Sequence, residues 1–497
     1  MVQETESGPE FEKRGLALAR ALHDPLGTQG SVMHGGRERD GLFIDHNEVH
    51  AYEFTKLRTK EKAAYDAGKV LELLRDVGAK SEHAFKSRTG WIVTLDEPTA
   101  DQRAAVQAAA RPTNERVHII SVNTLYQRIV NSELYLQARE NSPFGSVFYS
   151  PRNDGVNVPI NLVSPAGDVT SLKQLAERLT TGGRTLLMGN YGAGKSHSLR
   201  ELYRLLRRNH FRTNKSSPFP VHINLRDSAG LKTPAEILRR HAEEIGFDNP
   251  SGLISAWRAG AAVLLLDGFD EVVPTRWLGG ASDLRNVRWQ ALSPIRRLVE
   301  ETPNTSGIIV AGRAHYFSGE SEMIQALGFK TLDLLEVPEF SESELSEFLR
   351  QANVQWTAPD WVPMRPLLLS YLVSLAPDEV EGITGSPDRA SGWRHFFQAI
   401  CDREAQMFSA VRPQTIREIL ARVATIARSR SSTVGPVDMR VLTSAWVSVN
   451  GFQPDEEGRQ LLLRLPGLAQ QDASSSADER VFVDQDLADT AYAHDLA

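Results

Sequence analysis

Cysteine is almost missing from this chain: one residue in 497, Cys401. No disulfide can form within the chain, which points to a reducing interior. Apolar runs are short. The run "AAVLLL" is strand-length, far below the roughly 20 residues that cross a bilayer. Together with the polar, acidic start "MVQETESGPEFEKRG", this predicts a cytoplasmic protein with no membrane partner. Positive charge is not in excess, since 56 Lys and Arg stand against 63 Asp and Glu, so nothing draws the whole surface to nucleic acid. The first 140 residues are balanced too, with 19 basic and 21 acidic side chains. Any polyanion contact there must come from a local run such as "KLRTKEK" (56–62), whose plainer reading is a solvated helix face. One cysteine also leaves no Cys–His set for a structural zinc. Solenoid repeats and long low-complexity tracts are absent.

What is present is a soluble, globular composition, 41% hydrophobic and 24% charged, on a chain long enough for about three or four domains. In residues 1–140 "FEKRGLALARALH" has helical spacing, "GLFID" and "VHAYEFT" flank the turn-like "HNE", and "KEKAAYDAGKVLELLRDVG" is amphipathic. "WIVTL" and "VHIISV" read as strands, each followed by a helix, so this part is a small α/β unit with a hairpin at its centre. Residues 141–168 are rich in Pro, Gly, Asn and Ser and read as a linker. From 169 to 340, "RTLLMG", "PVHINL", "AAVLLLD", "SGIIVAG" and "KTLDLLEV" alternate with helical stretches, the pattern of a parallel sheet covered on both faces. Residues 341–385 are a helical segment. Residues 386–497 read as helices followed by a small hairpin, with "DASSSADER" as its loop. The fold class is therefore multidomain α/β with a helical C-terminal region.

"GNYGAGKS" (189–196) fits G-x-x-x-x-G-K-[ST] between a strand and a helix. Gly189 opens the loop; Gly192 and Gly194 let backbone amides turn toward phosphate oxygens, and the following helix aims its positive end at them. Lys195 bridges the β- and γ-phosphates of ATP or ADP, and Ser196 holds Mg²⁺. In "VLLLDGFDEV" (263–272), Asp267 ends a buried strand and is the carboxylate for Mg²⁺. Asp270 and Glu271 follow at the lip, placed to orient or activate the attacking water.

These residues carry a resemblance. "LLLDGFDE" resembles the signature of the NACHT domain, "IIVAGRAHYF" (308–317) its sensor strand, and "LEVPEFSESELSEFL" (335–349) the strand and helix that close its core. "VPMRPLLLSYLV" (362–373) is similar to the next helical element. The resemblance covers about 165–385 and, more weakly, a winged-helix-like remainder. It implies a STAND-class switch: closed with ADP, opened by a trigger, exchanging to ATP and forming homo-oligomers, with slow turnover that resets the state. It also implies that Arg313 reads the γ-phosphate and that Pro363 or Pro366 lies near the adenine. NLR-like sensors usually continue into long repeats, whereas this chain ends at "TAYAHDLA". The sensor is then the winged-helix region, a partner, or sequence beyond that point.

The hairpin "RERDGLFIDHNEVHAYEFTK" suggests a second activity. Antiparallel pairing about "DHNE" brings Asp40 and Glu53 near each other, and two carboxylates with a lysine are what a Mg²⁺-dependent nuclease needs. The arrangement resembles the restriction-endonuclease-like (PD-(D/E)xK) superfamily. The leading helix with Glu12 and the later strands and helices resemble that fold, and "YLQARENSPFGS" the seam that joins it to bacterial NACHT proteins. The family's lysine position is occupied by Thr55. Lys56 should point to the other face, which leaves Lys60 or Lys62 on the next helix; Lys62 is the residue we assign. The resulting expectation is a bacterial NLR-like anti-phage protein whose ATP-driven assembly activates an N-terminal nuclease on DNA. The alternative is an ATP-gated scaffold whose N-terminal domain binds without cutting. His197, His315 and Cys401 read as structural, and the eight tryptophans as core.

Overall fold

The computed structural model describes residues 7–24, 27, 29–142, 144, 160–189, 193–213, 215, 217–228, 230–272, 284–313, 317, 319–330, 333–351, 364, 366, 369, 389–407, 411–430, 437–455, 458, 459, 461, 462, 465–470, 480–482 and 485–497. No described helix is long and apolar enough to cross a membrane.

The N-terminal unit is a five-stranded sheet in the order β1 (Gly30–His34), β2 (Arg37–Ile44), β3 (Glu48–Thr55), β4 (Ser87–Thr94), β5 (Arg116–Ser121). The pairs β1–β2 and β2–β3 are antiparallel, and β3–β4 and β4–β5 are parallel. Pairing of Gly41 with Tyr52 and Leu42 with Ala51 fixes the hairpin register. One step further along that register sets Asp40 opposite Glu53. One side of β3 carries His50, Tyr52 and Phe54 toward the leading helix, Gly8–His23. That helix starts at a capping box between Ser7 and Glu10, and its Phe11 meets Phe54 edge-on. The other side carries Val49, Ala51 and Glu53 toward the helix Lys60–Gly78, whose Val70, Leu73, Leu74 and Val77 cover Val49 and Ala51. The strand β1 is not evident in the sequence, because "GSVMH" is short and its place is an exposed edge.

The second unit is a seven-stranded sheet in the order β7 (Val169–Thr170), β6 (Leu162–Val163), β12 (Asp333–Glu336), β8 (Arg184–Met188), β11 (Ile308–Gly312), β10 (Ala262–Asp267), β9 (Phe219–Asn224). The run β12-β8-β11-β10-β9 is parallel, and β6 and β7 add antiparallel pairs at one edge. All six residues of β10 are buried, as a strand covered on both faces requires. At roughly 1.5–3 kcal/mol for each buried aliphatic side chain, its leucines hold the aspartate that follows them in place. Leu162 and Val163 fall in the stretch read as a linker, yet they belong to this sheet.

The helix Ser132–Glu140 joins the two units. It was assigned to the N-terminal domain, but Tyr135, Leu136 and Arg139 are buried against the edge strand β9 and the helix Lys195–Arg212. Tyr135 Oη lies 2.9 Å from His241 Nε2, Ser132 Oγ 3.0 Å from His210 Nε2, and Arg139 Nε donates to the carbonyl of His222 at 3.0 Å. We predict that Arg139→Ala destabilises this junction by about 3 kcal/mol, because it strands buried acceptors. Faster amide exchange across 132–140 would show it; unchanged protection there would disprove the anchoring role.

In the C-terminal region the helices Arg389–Met407, Pro413–Arg430 and Met439–Asn450 precede the hairpin β13 (Leu468–Gln470)–β14 (Arg480–Phe482). One more helix, Gln485–Leu496, follows where the sequence had suggested the hairpin as the last element. It is held to Pro413–Arg430 by Arg422–Asp495 at 3.3 Å and Arg428–Asp489 at 2.5 Å. The loop 472–480 lies outside the described residues but for Arg480, and most of 352–388 lies outside them too.

Candidate functional site

The larger sheet gathers its chemistry at the C-terminal ends of β8, β10 and β11. Gly189 follows β8, and the helix Lys195–Arg212 begins behind Gly194, whose φ of +100° suits only glycine. A Cβ built on Gly194 would lie 3.6 Å from both Ile160 and Pro366, so this proline lies beside Gly194. Gly192 and Pro363 lie outside the described residues, as does His315. Lys195 Nζ donates to the Gly189 carbonyl at 2.7 Å. Burial pushes its pKa down to about 8, against the pull of Asp270, Asp267 and Glu271. An ammonium so placed, at the start of a helix, suits a phosphate.

Asp267 ends β10 and is 6% exposed. Burial raises its carboxyl to about 7, while a hydrogen bond from Ser196 pulls the other way. Its Oδ2 is buried without a hydrogen-bond partner among the described residues, as is His222 Nε2, 3.8 Å away on β9. The other nitrogen of that ring, Nδ1, lies 2.7 Å from Arg139. An orphaned carboxylate oxygen beside the Ser196 hydroxyl fits a divalent cation. Arg313, just past β11, is buried. Its Nε lies 3.1 Å from Asp270 Oδ2, its backbone N donates to Asp270 Oδ1 at 3.2 Å, and its NH2 lies 4.0 Å from Glu404 on the helix Arg389–Met407. Asp270 is thus tied to Arg313, while Glu271 stands half-buried at the lip. Between them Phe269 packs on Phe317, and a Cβ on Gly312 would come within 2.3 Å of its ring. Gly312→Ala is therefore expected to push Phe269, and Asp270 with it, at a cost of about 1–3 kcal/mol. A wild-type melting curve with wild-type nucleotide affinity would refute that.

A phosphate loop after one strand, an aspartate ending the next but one, and an arginine after the strand between them define a P-loop NTPase. Within that class, residues 184–353 match the model of the NACHT domain, about a third of the chain. No curated protein matches the sequence. Among solved structures, the Aeropyrum pernix ORC2 protein (ADPNP-ADP complexes) aligns at 14% identity over 64% of this chain and 91% of its own, with a TM-score of 0.29. Drosophila ORC bound to DNA aligns at 14% identity over 64% and 84%, with a TM-score of 0.24. Likeness at that level identifies neither a shared ligand nor a shared partner.

The N-terminal sheet holds a second cluster. Glu53 is 2% exposed, with Lys69 Nζ 2.5 Å from its Oε2. Asp66, fully buried, accepts from Lys62 Nζ at 2.7 Å and lies 3.6 Å from Lys69 Nζ. Asp40 Oδ2 accepts from the Phe54 amide at 2.7 Å. Burial, then the Asp40 charge, raises Glu53 to about 7; Asp40 and Glu12 are raised as well, first by burial. The lysine assignment needs correction. Lys62 is spent on Asp66, four residues on, and Lys69, two turns further along the helix, meets Glu53. Thr55 is buried, and Lys56 and Lys60 make no ion pair with either carboxylate among the described residues. Asp66 and Lys69 were missed, although the spacing 62, 66, 69 marks one helix face. Glu53 Oε1 and Asp66 Oδ2 are buried without hydrogen-bond partners, which fits a cation. Among the described residues no three His, Cys, Asp or Glu side chains form a metal-ligating group by themselves. His46 and His50, four apart, fall on a turn and a strand, and His50 is occupied by Trp91 at 3.2 Å.

Proposed function

We propose that this chain is an ATP-gated switch that controls a Mg²⁺-dependent nuclease, acting as a bacterial NLR-like anti-phage protein. The observation that carries the reading is one continuous chain of buried contacts. It runs from Ser196 through Asp267 and His222 to Arg139, on the helix Ser132–Glu140 that follows in sequence the unit holding Asp40, Glu53 and Lys69. With ATP bound, Lys195 exchanges the Gly189 carbonyl for phosphate oxygens, and Ser196 with Asp267 holds the magnesium. That ion, when bound, neutralises the phosphates. Arg313 is drawn from Asp270 and Glu404 toward the terminal phosphate. Its release loosens the helix Arg389–Met407 from the core, so the two domain arrangements differ in their contacts with the γ-phosphate. Asp270, freed from Arg313, and Glu271 orient water for the slow reset. The opened form assembles into homo-oligomers, and neighbouring N-terminal units each cut one strand.

In the nuclease site Asp40 and Glu53 hold Mg²⁺, which supplies Lewis acidity at the scissile phosphate. Lys69 leaves the Glu53 oxygen it occupies and polarises the attacking water, and Lys62 stays paired with Asp66 beside it. Purified chain with ATP and Mg²⁺, given candidate triggers, should degrade plasmid DNA, and Asp40→Ala should not. Equal cutting by that variant rules the assignment out.

A second reading has its own support: Lys69 already occupies Glu53, as in a site retained for binding rather than cutting. It describes an ATP-gated scaffold. Under it Glu53→Ala keeps the biological effect and Lys195→Ala loses it.

A further inference from the structure

The helix behind the phosphate loop carries a feature that nucleotide binding does not use. Lys195–Arg212 holds six lysines and arginines and one glutamate, in a chain whose net charge is −7. Arg200, Arg204, Arg208 and Arg212 recur at every fourth position and so form one stripe. Like charges at that spacing weaken a helix unless an anion lies against them. Arg207 and Phe211 widen the stripe, with the guanidinium 5.3 Å from the ring centre. Arg204, Arg207, Arg208, Phe211 and Arg212 line, with Glu140, a concavity of about 540 Å³. Part of the charge is answered locally: Arg204 lies 2.6 Å from Glu201, and Arg207 3.2 Å from Glu140. Arg212 also complements the C-terminal end of the helix dipole. Arg208 and Arg212 are exposed and make no ion pair among the described residues, and the Phe211 ring is 39% exposed.

We infer that this groove binds a single nucleic-acid strand, its phosphates along the arginine stripe and a base on Phe211. Four residues of helix rise about 6 Å, comparable with the separation of successive phosphates along a strand. A basic groove with an aromatic ring inside it is what sequence-tolerant strand binding uses. An acidic peptide has no need of the ring, and a bilayer does not enter a concavity. The stripe and Lys195 share one rigid helix, so strand binding and nucleotide binding bias each other reciprocally. This names a chemical class for the trigger; it rests on the switch reading only for that coupling.

The test is fluorescence anisotropy with the full chain, no nucleotide, and a labelled oligothymidylate of about 20 nucleotides, titrated over a range of salt. Wild type should bind, with affinity falling as salt rises. Arg208→Glu/Arg212→Glu should weaken binding at least about 10-fold and flatten the logarithmic salt slope by about 1.4, near 0.7 per lost single-strand contact. Arg240→Glu/Arg297→Glu is the charge-matched control, on exposed arginines already paired to Glu244 and Glu301, and should bind as wild type. Lys195→Ala should keep strand binding while losing ATP. Unchanged affinity in the stripe variant, equal loss in the control, or uptake of phosphatidylserine vesicles or polyglutamate without the oligonucleotide overturns the proposal. Nucleotide uptake that survives such a failure leaves the NTPase assignment standing.

Discussion

Lys195→Ala should weaken both ATP and ADP binding by about 100-fold, measured by titration calorimetry with magnesium. The ammonium sits in the loop between Gly189 and the helix start, with its pKa lowered to about 8 by burial. Bound phosphate restores the full charge and replaces a neutral carbonyl with an anionic partner. A hydrogen bond to a charged group contributes roughly 1.5–3 kcal/mol, which is about 10- to 100-fold in affinity. The larger figure applies because the site is buried. Truncation also removes one of the positive charges that face Asp270 and Asp267 beside the incoming phosphates. Affinity within about twofold of wild type would sink the assignment of the loop.

The second large effect concerns Glu53. Its folded-state pKa of about 7 lies above the ordinary 4.5 of a glutamate, so the folded chain binds the proton more tightly than the unfolded one. Stability from this group is therefore complete below about pH 4.5 and is lost as pH rises through 7. At 1.36 kcal/mol per pKa unit the loss is on the order of 3 kcal/mol. Glu53→Gln stays neutral and should flatten the trend. Protection factors across β3, corrected for the intrinsic rise of exchange with pH, should thus fall in wild type, but not in the variant, between pH 5 and 8. Magnesium, which needs the ionised carboxylate, should restore wild-type protection at pH 8 and do nothing for Glu53→Gln. If this residue is also a metal ligand for cutting, the variant loses about 10³-fold in cleavage rate. Parallel pH profiles for the two proteins would exclude the ionised, cation-ready carboxylate that the cluster requires.

How much of this was legible in the sequence depends on the distance over which each feature is encoded. The phosphate loop and Asp267 each sit at the end of one strand, where local spacing was enough, and Arg313 followed from the resemblance of "IIVAGRAHYF" to a sensor strand; the parallel sheet then brings those ends together. Asp40 and Glu53 were legible too, because period-two alternation and a short turn fix a hairpin register. Lys69 was not. It belongs to the next helix, and which lysine reaches Glu53 depends on how that helix lies across the sheet, with Val70 above Gly90 (a Cβ there would come within 2.2 Å of it). Adjacency in sequence favoured Lys62, but packing gave it to Asp66. The strand Leu162–Val163 was hidden because two residues in a Pro- and Asn-rich stretch show no period. The last helix, Gln485–Leu496, was hidden because its weak apolar face becomes a docking surface only against Pro413–Arg430 and Arg389–Met407.

The order of residues alone thus determined a phosphate-binding loop, its acidic partner, a paired-carboxylate hairpin and the helical C-terminal region, since each is written within one or two elements. Only the tertiary structure decided that Arg139 reaches His222 beside Asp267, that Lys69 guards Glu53, and that four arginines share a groove with Phe211. Those contacts join residues from different elements, and their distances depend on how helices and sheets settle against each other, which no local pattern of side chains specifies.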